Sequence, residues 1–162
     1  MTNIEPILQV WDTGLFELKI ALEGTPREDL WRRPHTNLLS IGEIAGHIAY
    51  GLVSHVFCQS KAVQTIDLPV QSVLLDEQIR YFTVNIKKEF VADLNVESII
   101  DDLESVFSAC RDVAASHAME DSVESHWETW GALANYQAFH IAYHTGQIYS
   151  VRHMFGHETE DN

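Results

Sequence analysis

Four stretches of this 162-residue chain carry apolar residues at helical spacing, with turn-forming residues between them. That periodicity constrains the fold more than any other feature. A stripe of apolar side chains recurring every three to four residues is satisfied by a helix that buries one face against other helices. Convincing period-two alternation, the mark of half-buried strands, is scarce.

In the first stretch, residues 4–22, Ile4, Ile7, Leu8, Trp11, Leu15, Leu18 and Leu22 form one stripe. Thr2 and Glu5 have the spacing of a capping box, and Gly24 with Pro26 ends the helix. A connection over 25–39 leads to a second helix over 40–60, opened by the S-x-x-E signature of Ser40 and Glu43. Residues 65–69 read as a loop. The pattern over 74–90 is mixed, a further helix or a partly extended segment, because Tyr81, Thr83 and Val84 favour strands. Asn95 caps a helix reaching about residue 117, with Ile99, Leu103, Val106, Phe107 and Cys110 inward. A loop carrying His126 and Trp127 follows, then a last helix over 130–155, with Gly156 just past its end. The expectation is an all-α four-helix bundle, a single domain over 1–162, with a short extra helix or irregular segment around 70–93.

Charge narrows the partners. Ten basic residues against 24 acidic ones leave a formal net charge of −14, which repels phosphate backbones and anionic lipid surfaces. No run approaches the roughly 18 apolar residues of a membrane span. The N-terminal segment lacks the basic start and unbroken apolar stretch of a secretion signal. Cys58 and Cys110 are too few for a disulfide framework and read as small buried hydrophobes. A cytoplasmic protein is expected. The nine histidines are many for this length.

Two of those histidines, His140 and His144, stand four apart on the last helix, so both imidazoles share one face and can reach one ion. Spacing alone is weak, because nine histidines in 162 positions give roughly half an i,i+4 pair by chance. His153 and His157 have the same spacing, but Gly156 interrupts them and they read as surface. Position distinguishes the first pair: Leu133, Tyr136, His140, His144, Val151 and Phe155 fall within one stripe, expected to face inward. Buried imidazoles are costly as charges and awkward as unpartnered polar groups, and a metal takes each as a neutral ligand. A third ligand belongs on a facing helix, where His47 is the best candidate. Gly51, one turn later, leaves room for an ion or substrate. His55, about 12 Å further along the helix by its rise, is too far to share the ion. The competing reading is plain: all three are core histidines hydrogen-bonded to tyrosine or carboxylate neighbours. Glu43 reads as a cap rather than a base, and Tyr50, Tyr143 and Gln147 are candidate partners of the ligands. Ile141 stands where the H-E-x-x-H protease signature needs its glutamate. Three imidazoles suit zinc or nickel first, and copper or iron as well.

The segments Arg33-Pro34, Leu39–Ile48 and His140–Ile148, followed by Arg152 and Gly156, resemble the DinB/YfiT-like family of metal-dependent bundle proteins. The order of elements agrees over nearly the whole chain, with about 61–95 the least typical part. The resemblance implies an up-down-down-up bundle, a metal triad at His47, His140 and His144, and a homodimer. It also implies chemistry on a small-molecule substrate by thiol-dependent transferases or isomerases that use a low-molecular-weight thiol. Arg32, Arg33 and Arg152 are the cations available to an anionic thiol. A metal-dependent hydrolase and a non-catalytic metal- or ligand-binding bundle, for storage, sensing or stress response, are the alternatives.

Overall fold

The computed structural model describes residues 2–58, 68–80 and 86–159, and among these it is all-helical with no strand. Four long helices dominate: α1 (Glu5–Leu22), α3 (Ile41–Val56), α6 (Val96–Ala115) and α7 (Trp130–Met154). The short helices α2 (Arg27–Leu30), α4 (Glu77–Arg80) and α5 (Lys88–Val91), with a 3-10 turn at Val73–Leu75, lie in the connections.

Each long helix packs on two of the others: α1 on α6 and α7, and α3 on α6 and α7. The apolar stripes meet in one core, in which Leu8, Trp11, Leu18, Ile48, Leu52, Ile99, Leu103 and Ile141 are fully or almost fully buried. Polar ties fix the register. Trp11 Nε1 donates to the Ala134 carbonyl at 2.9 Å across α1 and α7, while Arg111 of α6 pairs with Glu5 and Asp12 of α1. Asp102 Oδ2 accepts from Ser72 Oγ at 2.8 Å and Val73 N–H at 3.0 Å, holding the 3-10 turn on α6.

The caps at Ser40 and Asn95 form as expected, the latter completed by Ser98. Gly24 and Gly156 take left-handed backbone (φ 71° and 80°) at the ends of α1 and α7, where a side chain would be strained.

Other expectations need correction. The Thr2–Glu5 capping box does not form: Ile4 is the N-cap, Glu5 N–H donates to Asn3 Oδ1, and the Glu5 carboxylate is drawn away to Arg111. The connection over 25–39 holds helix α2. Within 70–93 the described residues are short helical turns, and the strand-favouring Tyr81, Thr83 and Val84 lie outside the described residues, as do 59–67. The face of α7 is also wider than one stripe. Its deepest line runs through Ala134, Gln137, Ile141 and Ile148, because α7 packs on both α1 and α3. His140 and His144 occupy the flank of that face beside α3. The pair His153 and His157 splits: His153 is exposed, but His157 is half-buried and bonded to Asp29 at 2.7 Å.

Candidate metal centre

His47 comes from α3, and His140 and His144 come one turn apart from α7. Close approach of the two helices brings them together. Gly51 permits it: a Cβ at that position would stand 2.6 Å from His140 Cε1. The room beside Gly51 is therefore filled by a ligand ring, where the sequence had left it for an ion or substrate.

The three residues each offer one ligand atom, all within 4.8 Å of one another, close enough to hold one metal ion. Ring centroids are 5.1 Å apart for His47 and His140, and 4.5 Å for each of the other two pairs. The Nε2 atoms of His47 and His140 are 3.3 Å apart. Two ligands of a tetrahedral ion at a Zn–N distance of 2.0–2.1 Å stand about 3.3–3.4 Å apart. A direct N–H···N hydrogen bond would span the same gap, so spacing alone fits both the metal and the plain core-histidine reading.

Electrostatics is compatible with the ion. Burial pushes the His47 imidazole down to about 4, with the neighbouring His144 adding to the effect. Burial, then His144, His47 and His55, push His140 down to about 3. His144 is lowered by burial too, against the opposing hydrogen bond from Gln147. Three neutral imidazoles at neutral pH are the form a metal requires. His140 is 7% exposed, and its Nδ1 has no hydrogen-bond partner. Among the described residues no carboxylate or tyrosine hydroxyl is seen to bond a triad nitrogen, as the core-histidine reading needs.

His144 has the orienting partner that metal-bound imidazoles usually have. Its Nδ1 lies 2.6 Å from Gln147 Oε1, which can only accept, so the proton sits on Nδ1 and Nε2 is left with its lone pair. Gln147 Nε2 in turn donates to the Tyr143 hydroxyl at 3.4 Å.

His55 stays outside the triad. Its Nδ1 is 2.6 Å from Gln137 Nε2, and its ring packs edge-on against Trp127 and Tyr136, which stack on each other at 4.0 Å. Trp130 is fully buried and stacks on His117, closing the end of the core. Cys110 is buried, while Cys58 is only half-buried. Glu43 caps α3 and is locked in a fork with Arg33, which leaves it no role as a base.

The sequence did not reveal a cleft of about 490 Å³ that opens onto His47 and His144 between the loop before α3 and the end of α7. Asn37, Gln147 and Ser150 are its polar members. The signal was faint: Leu38 and Met154 are exposed apolar residues that sequence periodicity assigns to no core.

Burial of the triad has a consequence for acid stability. An unfolded histidine titrates near 6.5, above the folded values, so the unfolded chain binds more protons as pH falls. In chelator-treated protein the stability contributed above pH 6.5 is then lost progressively between about pH 6.5 and the folded values, about 4 for His47 and about 3 for His140. Relief of self-repulsion in a chain at −14 acts in the opposite direction. Urea midpoints of the chelated protein should fall from pH 6.5 to 5, and a flat or rising trend would contradict three buried neutral rings.

No family model matches this chain, and no curated protein or solved structure matches it either.

Proposed function

We propose that the chain is a metal-dependent enzyme of the DinB/YfiT-like kind, a four-helix bundle working as a homodimer on a small molecule. In this reading His47, His140 and His144 hold one divalent ion, zinc or nickel. Three protein ligands leave one tetrahedral position for water or substrate, the arrangement of catalytic rather than structural sites. The observation that carries the reading is the convergence of three imidazoles, two of which, His47 and His144, line an open cleft. A divalent ion held by these three residues would supply Lewis acidity, the chemistry that lowers the pKa of a water or thiol toward neutral pH.

The chain's own residues do the rest. Gln147 holds the proton of His144 at Nδ1 and keeps Nε2 free to bind the ion. Gly51 lets His140 stand against α3. His140 is buried, whereas His47 and His144 line the cleft, so substrate would approach from the cleft.

An S-transfer or isomerisation that uses a low-molecular-weight thiol is the reaction put forward, with hydrolysis as the second reading. Metal analysis of the purified protein should give one equivalent per chain. The loaded protein is then given an electrophile with a panel of thiols, and separately a panel of esters, and products are read by mass spectrometry. Metal-dependent conjugates support the transferase, and ester cleavage without thiol supports the hydrolase. One equivalent of metal with no turnover on either panel replaces the enzyme with a metal-binding protein.

A further inference from the structure

We infer that the cleft beside the triad accepts an uncharged molecule with an apolar body and one polar end. This rests on the proposed function only in taking the cleft as the approach to the ion.

The walls carry the inference. Leu38, Leu39, Ile44, Val151 and Met154 line the cleft, and among the described residues no charged side chain joins them. A volume of about 490 Å³, mostly apolar with a few polar groups, is the usual build of a small-molecule site. Leu38 and Met154, 42% and 61% exposed, keep apolar surface in water that a ligand body would cover.

The nearby arginines are engaged elsewhere. Arg33 is paired with Glu43. Arg32 is paired with Asp29 and lies 3.7 Å over the Phe155 ring. Arg152 follows Val151 in sequence but is 6% exposed and donates to the Ala21 carbonyl at 2.9 Å. An anionic body would enter this cleft without a partner and against the field of a chain at −14. A cationic body would meet no carboxylate among the described lining residues, so its desolvation would go uncompensated as well. Neutral molecules escape both penalties. Charged low-molecular-weight thiols are accordingly poor candidates, and uncharged alkyl or aryl thiols, esters and amides are better ones.

The test uses the metal-free protein, so that an anion cannot bind simply as a ligand of the ion. 1-Hexanol, hexanoate and hexylammonium are titrated against ¹⁵N-labelled full-length chain, following the amide signals of Leu38, Ile44, His144 and Met154. Hexanol should move these signals with an affinity at least about tenfold above either charged analogue, a difference of about 1.4 kcal/mol. Met154→Lys, at an exposed wall position, should raise hexanoate affinity several-fold and weaken hexanol, so that the preference between the two narrows or inverts. Equal or tighter binding of hexanoate to the unaltered protein overturns the inference, and so does the absence of shifts with all three. Metal analysis separates the two ideas: one bound equivalent without hexanol binding removes only the cleft assignment. Hexanol binding by a chain that takes up no metal in the metal analysis removes the metalloenzyme and leaves the cleft as a ligand site.

Discussion

His140→Ala should abolish stoichiometric metal binding while the helices remain folded. The substitution removes one of three ligands and leaves two imidazoles on different helices, with no carboxylate or thiol among the described residues placed to replace it. Loss of a residue that merely orients a ligand typically costs 10–100-fold in metal affinity, so loss of a ligand should exceed about 100-fold. Stability should change less. Truncation opens a void against Gly51, a destabilising term, but also removes the buried, unpartnered Nδ1 of His140. The two terms oppose each other, and their difference should lie within about 2 kcal/mol. His55→Ala is the control, because His55 bonds Gln137 two turns further along α3 and offers nothing to the ion. Dialysis against zinc or nickel followed by metal analysis should give one equivalent for the native chain and for His55→Ala, and next to none for His140→Ala. Equal metal in all three would mean that these histidines are ordinary core residues.

The triad was legible in the sequence because a helix converts spacing into geometry. His140 and His144 had to share a face, and an S-x-x-E cap fixed the start of the helix that carries His47. How near α3 would come to α7 was not legible, since it depends on Gly51 accepting the His140 ring, a contact between residues 89 apart in sequence. The orientation of α7 was only partly legible. Leu133, Ile141, Ile148 and Val151 are buried on one side of that helix, but Phe139, Tyr143 and Met154 put large apolar residues on the exposed side too, and one stripe cannot rank its faces. The connections were least legible. Four-residue helices such as α2 and α4 are too short to show a period, and tertiary contacts hold them rather than propensity. The cleft stayed hidden because loop residues 37–39 and the end of α7 meet only in the folded chain.

Glu43→Ala should be among the most destabilising single changes in α3, and it separates a structural carboxylate from a catalytic one. Glu43 lies one turn before His47, where a general base could stand. Its side chain is 1% exposed and bound on every side. Oε2 accepts from Ser40 N–H at 2.8 Å and from Arg33 Nε at 2.9 Å, and Oε1 pairs with Arg33 Nη2. Truncation leaves the Ser40 amide and the Arg33 guanidinium without this partner, while Ser40 Oγ keeps the backbone N–H of residue 43. Breaking a buried ion pair costs 3–5 kcal/mol, and the 22% exposure of Arg33, which lets it turn toward water, puts the loss near the lower end, about 3 kcal/mol. Glu43→Gln keeps an acceptor for Ser40 N–H and the length of the cap, so it should cost about half as much. Both variants should retain one equivalent of metal wherever they are folded, because neither touches a ligand. Urea titration at pH 7 measures the two losses, and metal analysis in the folded baseline measures the site. If Glu43→Gln instead keeps full stability and metal but loses all turnover on whichever substrate panel responds, the carboxylate is a base and its pairing with Arg33 opens during reaction. A graded loss of stability from glutamate through glutamine to alanine, with metal unchanged, assigns it to the start of the helix that presents His47.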